Sequence, residues 1–185
     1  MNHSEQYRAE LHQVLDSIDI AKVRQAIEIF REARDDGRYI FICGNGGSAA
    51  SASHFVCDII KGPSYNNPNK FKMMALNDSG PTLTAYANDV GYDSVFLEPL
   101  KNFARPGDVV MALSGSGNSP NVIRAIEYAN SIGCTTIGLS GRDGGKLAPM
   151  SALSIHIPFQ NMGRIEDAHM VVCHMICYHF MENDN

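Results

Sequence analysis

Two short loops in this chain carry residue types that hold a phosphate. The first is Gly44-Asn45-Gly46-Gly47-Ser48, after the apolar run Tyr39-Ile40-Phe41-Ile42-Cys43. The second is Ser114-Gly115-Ser116-Gly117-Asn118-Ser119, after Val109-Val110-Met111-Ala112-Leu113. Glycine lets a backbone come close to a ligand. A helix opening after each loop offers free N–H groups and a positive dipole end. A plain strand-to-helix turn needs one capping hydroxyl, yet Ser114, Ser116 and Ser119 supply three within six residues. Together the loops read as one phosphate clamp. The first lacks both the GxGxxG spacing of a dinucleotide site and the lysine of a P-loop.

A second set of residues can move protons or hold a cation. His54 and Asp58 stand four apart on the helix expected after the first loop, so they share a face. Glu166 and His174 stand eight apart on the last helix and also share a face, two turns apart. Two imidazoles and two carboxylates form an acid–base set, and equally a nitrogen–oxygen set for a divalent metal. A histidine and an aspartate at this spacing also occur as a simple surface pair.

These residues need a scaffold, and the apolar pattern supplies one. Leu11, Val14, Leu15 and Ile18 have helical spacing, and a second helix runs through Val23, Ala26, Ile27 and Phe30 to end near Gly37. Strands are expected near 39–43, 72–76, 108–113, 135–140 and 154–158, and helices over 47–61, 82–88, 93–104, 119–132 and 163–181. The strand runs are continuously apolar, as in parallel sheets covered on both faces. Repeated strand–helix units predict an α/β fold with a five-stranded, mainly parallel, doubly wound sheet of the flavodoxin-like kind. Both loops then fall at carboxyl ends of strands, where such sheets bind ligands. The expectation is one domain over 1–185, with N-terminal helices in 1–36 and the α/β core in 37–185. The apolar faces of the two leading helices imply a partner surface, hence an oligomer.

Composition narrows the classes. Fifteen basic against 20 acidic residues give a net charge of −5, which disfavours direct nucleic-acid binding. No stretch reaches membrane-spanning length and the polar N-terminus resembles no leader, so the cytoplasm is expected. Cys43, Cys57, Cys134, Cys173 and Cys177 read as buried free thiols, since an odd count inside strands and helices suits no disulfide framework.

Strand-Gly-Asn-Gly-Gly-Ser followed by strand-Ser-x-Ser-Gly-Asn-Ser resembles the sugar isomerase (SIS) domain, and within it the phosphoheptose isomerase branch. The resemblance spans nearly the whole chain. It includes Asn88-Asp89, Leu139-Ser140-Gly141-Arg142-Asp143-Gly144-Gly145-Lys146 and Arg164-Ile165-Glu166. It implies an aldose–ketose isomerase that converts sedoheptulose 7-phosphate to the manno-configured heptose 7-phosphate through an enediol. It implies that Ser48, Ser114, Ser116 and Ser119 hold the phosphate. Asn45, Gly46, Gly47, Asp78 and Asn121 then contact the sugar or shape the site. His54, Asp58, Glu166 and His174 would bind zinc, with Asp58 as base, His174 as acid and Glu166 as the alternative base. Homotetramers with sites at subunit interfaces are implied too. Asp58 stands where glutamate is usual, Glu166 where glutamine is usual, and Gly163 where aspartate is common. A non-catalytic SIS protein, binding a sugar phosphate or a replication initiator, is the other reading of the same motifs.

Overall fold

The computed structural model describes residues 2–183. In order they form α1 (His3–Asp16), α2 (Ile20–Asp35), β1 (Tyr39–Gly44), α3 (Gly46–Lys61), β2 (Lys72–Ala75), α4 (Gly80–Asp89), a 3-10 turn (Tyr92–Ser94), α5 (Leu97–Phe103), β3 (Val109–Ser114), α6 (Pro120–Ser131), β4 (Thr135–Gly141), α7 (Leu147–Met150), β5 (Leu153–Ile157) and α8 (Met162–Asn183). The five strands pair in the order β2-β1-β3-β4-β5, all parallel. That is the doubly wound order, with its switch point between β1 and β3. Gly44 pairs with Leu113, so both serine-bearing loops leave the sheet side by side.

The sheet forms because its strands have two apolar faces to bury. Every residue of β3 is buried. Ile40 and Ile42 face one core with Phe30, Phe55 and α8, while Phe41 and Cys43 face the other with Phe96, Leu100 and α6. Covering each such side chain contributes about 1.5–3 kcal/mol. In α8 the buried stripe is Ile165, Ala168, His169, Val172, Cys173, Ile176, Cys177 and Phe180, a helical period that leaves Glu166 and His174 at its edge. In α3 the stripe is Ser48, Ala52, Phe55 and Ile59, with His54 and Asp58 beside it.

Four differences from the sequence reading have physical causes. The helix expected over 93–104 is a 3-10 turn followed by α5. Val95, Phe96 and Leu97 are all buried in succession, which one face of a continuous helix cannot achieve. The four-residue α7 is too short to leave a periodic signal. Cys57 is exposed, because it falls off the buried Ala52–Phe55–Ile59 stripe of α3; the other four thiols are buried. The apolar faces of α1 and α2 are covered by this chain itself, since Val14, Ile18, Val23, Ala26, Ile27 and Phe30 join the core under α8.

His169 is only 1% exposed, and its Nε2–H donates to the Ser140 carbonyl at 3.2 Å. Burial pulls its pKa down to about 4, with the Ser140 hydrogen bond opposing. The unfolded chain takes up this proton near pH 6.5. Stability from this group is therefore complete above pH 6.5 and is lost as pH falls toward 4, by roughly 3 kcal/mol. Urea denaturation at pH 7.0, 5.5 and 4.5 is expected to show this decline, and a His169→Leu variant a flatter one. Equal acid slopes in the two proteins would assign the decline to other groups.

Candidate functional site

The loops after β1 and β3 enclose a cavity of about 260 Å³, lined by Asn45, Gly46, Gly47, Ser48, Ser114, Ser116, Ser119, Met162 and Glu166. The hydroxyls converge: Ser114 Oγ lies 3.2 Å from Ser119 Oγ and 3.5 Å from Ser116 Oγ. Ser48 is 6% exposed and sits in the first turn of α3. Among the described residues these three neutral hydroxyls, gathered beside a helix N-terminus, bond only one another and the Asn118 N–H. Their common direction suits an anion with several oxygens.

The second loop is braced from outside. Gly117 has φ of +64°, and a Cβ there would stand 2.1 Å from the Gly144 carbonyl oxygen, so only glycine fits. Leu147 N–H donates to the Gly117 carbonyl at 2.9 Å, and Lys146 N–H to Asn118 Oδ1 at 3.1 Å. The Gly144-Gly145 segment thus acts as a clamp that keeps the serine loop in shape.

Glu166 reaches the cavity from α8. Its carboxylate rests on Gly47, where a Cβ would lie 2.6 Å from Oε1 and 2.7 Å from Oε2. Gly47 is therefore required by the close approach of that carboxylate. The first turn of α3 favours a negative charge there. Among the described residues no hydrogen bond or ion pair engages the Glu166 side chain. The start of α8 is anchored by α1: Tyr7 O–H donates to Asp167 Oδ2 at 2.6 Å, the Arg164 guanidinium stacks 3.8 Å from the Tyr7 ring centre, and Arg164 pairs with Glu10 at 3.0 Å. The hydrogen bond to Asp167 raises the Tyr7 pKa.

The acid–base residues divide. His54, Asp58 and His174 each bring one ligand atom into a group whose members all lie within 4.8 Å of one another. Both imidazoles address one carboxylate oxygen, His54 Nε2 at 3.2 Å and His174 Nε2 at 3.5 Å from Asp58 Oδ2. Glu166 is outside this group. Two nitrogens and one oxygen with an open side fit a catalytic zinc site. Cys173 and Cys177 lie in the core beside this group, where burial, and next the charge of Asp58, push Cys177 up to about 12 and Cys173 further still. Six residues of α3 separate Ser48 from His54, about 9 Å along the axis. That span is on the scale of an extended sugar phosphate.

Neither Asp78, which is exposed, nor Asn121, which is buried, lines the cavity. Asp78 Oδ1 accepts from the Ser53 hydroxyl, and Asn77 Nδ2 donates to Ser53 Oγ at 2.9 Å, tying the end of β2 to α3. Asn121 is 2% exposed and exchanges two amide hydrogen bonds with Asn45, each 2.9 Å. Met162 and Tyr92 escape the sequence reading, because single apolar or aromatic residues outside a motif carry no spacing signal.

A SIS domain model matches residues 5–141. A phosphoheptose isomerase of Geotalea daltonii is 34% identical, covering 94% of this chain and 93% of its own length. One from Mycobacterium tuberculosis is 41% identical, covering 77% of this chain and 72% of its own length. The solved phosphoheptose isomerase of Neisseria gonorrhoeae superposes with a TM-score of 0.88 at 32% identity, covering 96% of each chain. On these matches in sequence and fold, this chain belongs to the SIS-domain phosphoheptose isomerase family.

Proposed function

We propose that this chain isomerises sedoheptulose 7-phosphate to the manno-configured heptose 7-phosphate. The observation that carries the reading is one pair of helices, α3 and α8, bearing a serine-lined anion cavity at one end and the His54–Asp58–His174 group about two turns further along. The phosphate occupies the hydroxyls of Ser114, Ser116 and Ser119 with the α3 N-terminus. The sugar chain then crosses the seam between α3 and α8, with C1 and C2 between Glu166 and the histidines.

His54, Asp58 and His174 are the residues that would hold a zinc ion, one per chain. Bound there, such an ion polarises a carbonyl and steadies an enediolate. The geometry favours Glu166 over Asp58 as the base. Asp58 is shared by two imidazoles, whereas Glu166 is a carboxylate in the cavity without a partner among the described residues. Glu166 takes a proton from C1 beside the C2 carbonyl, which yields the enediolate as the C–H electron pair forms the C1–C2 double bond and the carbonyl electrons move to O2. It returns the proton to C2 while the hydroxyl proton passes from O1 to O2, leaving the aldehyde at C1. His174, implied as the acid by resemblance, is here grouped with the ligands.

We place the protein in the cytoplasm, consistent with five free thiols and no described helix long and apolar enough to cross a membrane. A homotetramer is part of the reading. Its support is the apolar outer side of α8, where Met175 and Tyr178 are exposed beside His174. Turnover of a panel of sugar phosphates, with and without added zinc, tests the activity. Binding without turnover of any of them would leave a sugar-phosphate receptor in place of an enzyme.

Ser116→Ala and Ser119→Ala are each expected to weaken binding of the phosphosugar by about 1.5–3 kcal/mol, the range for a hydrogen bond to a charged group. Calorimetry with sedoheptulose 7-phosphate measures this. Unchanged affinity in both variants would remove the phosphate from this loop.

A further inference from the structure

Resting on the phosphosugar reading, we propose that Tyr92 is a positioning residue that presents Asn45 to the sugar as a hydrogen-bond donor only. The Tyr92 hydroxyl donates to Asn45 Oδ1 at 2.9 Å, reaching from the turn after α4 across to the first loop. Asn45 Oδ1 also accepts from Asn121 Nδ2 at 2.9 Å, so both of its lone pairs are taken. In return Asn45 Nδ2 donates to Asn121 Oδ1 at 2.9 Å.

The polarity of this pair is set by the backbone. Val122 N–H donates to Asn121 Oδ1 at 3.0 Å, which fixes the Asn121 amide with its oxygen toward α6. Asn121 Nδ2 must then meet Asn45 Oδ1, and Asn45 Nδ2 must meet Asn121 Oδ1. A flipped Asn45 would set nitrogen against nitrogen and oxygen against oxygen. One N–H of Asn45 is left over, with no acceptor among the described residues, and Asn45 lines the cavity. That N–H is available to a sugar oxygen.

Tyr92 supplies what the pair alone lacks. Its hydroxyl covers the second lone pair of Asn45 Oδ1, which otherwise invites water or a sugar hydroxyl in a competing pose. The tyrosine is itself held, because Arg124 Nη1 donates to Ser94 Oγ at 3.1 Å and pairs with Asp93, both in the same turn. The ring is 53% exposed, so its hydroxyl is not needed to fill the core. Tyr92 acts on the sugar through Asn45 and leaves the phosphate to the serines.

Steady-state kinetics and calorimetry of Tyr92→Phe test this, with sedoheptulose 7-phosphate and inorganic phosphate as separate probes. The expected result is a KM and a phosphosugar dissociation constant raised about fivefold, with kcat and phosphate affinity unchanged within a factor of about two. Unchanged phosphosugar affinity would overturn the proposal. So would a parallel loss of phosphate affinity, since Tyr92 would then be supporting the loops as a whole. Calorimetry needs no turnover, so an inactive wild type would count against the isomerase reading while the affinity ratio still judged Tyr92.

Discussion

Glu166→Gln is expected to lower kcat by about 10²–10⁴-fold, the usual contribution of a positioned general base. Metal content is expected to stay the same, because the grouped ligand atoms belong to His54, Asp58 and His174. The amide keeps the shape of the carboxylate, so it still packs on Gly47. Inorganic phosphate is expected to bind at least as tightly, since a negative charge leaves the cavity that receives it. The substitution is a sharp one because glutamine is the residue usual in the family at this position. If Asp58 were the base, Glu166→Gln would bring the chain closer to its relatives, and turnover would hold or rise. Loss of turnover with zinc and phosphate binding intact assigns the base to Glu166. Retained turnover assigns it to Asp58.

Much of this division is legible in the sequence, and the reasons are local. The serine loops announced themselves because the chemistry is packed into six consecutive residues that follow a fully buried strand. The mainly parallel, doubly wound sheet followed from continuous apolar runs alternating with helical periods, since a right-handed crossover leaves few ways to stack them. The pairs His54–Asp58 and Glu166–His174 were visible from helical spacing alone. What spacing could not tell is how α3 and α8 pack against each other. Both pairs share a helix face, yet only three of the four side chains meet, because Glu166 lies level with Gly47 while His174 lies level with Asp58. The role of Tyr92 was hidden for a related reason. It stands 47 residues from Asn45 in sequence, and a tyrosine in an exposed turn carries no pattern of its own. The leading helices show a further limit: an apolar face demands cover, and the sequence does not say whether the cover comes from the same chain.

Asp58→Asn is expected to strip the metal and most of the activity together. Its carboxylate oxygen is the one atom both imidazoles address. The amide puts a weaker, neutral oxygen or an N–H donor in that place, so two nitrogen ligands face no negative charge. Loss of outer partners alone weakens metal sites by about 10–100-fold, and loss of a direct charged ligand is expected to exceed that. Elemental analysis after mild purification should therefore find about one zinc per wild-type chain and far less in the variant. Turnover is expected to fall about 10³-fold, the scale of several kcal/mol of lost charge stabilisation. Phosphate binding should persist, because Ser114, Ser116 and Ser119 stand on a different element. Asp58→Glu keeps the charge and is expected to retain zinc. A fully loaded Asp58→Asn protein would move the metal away from this group. A wild type that takes up no divalent cation would leave the two imidazoles and Asp58 as an acid–base relay instead, and the role of Glu166 would still be decided by its own substitution.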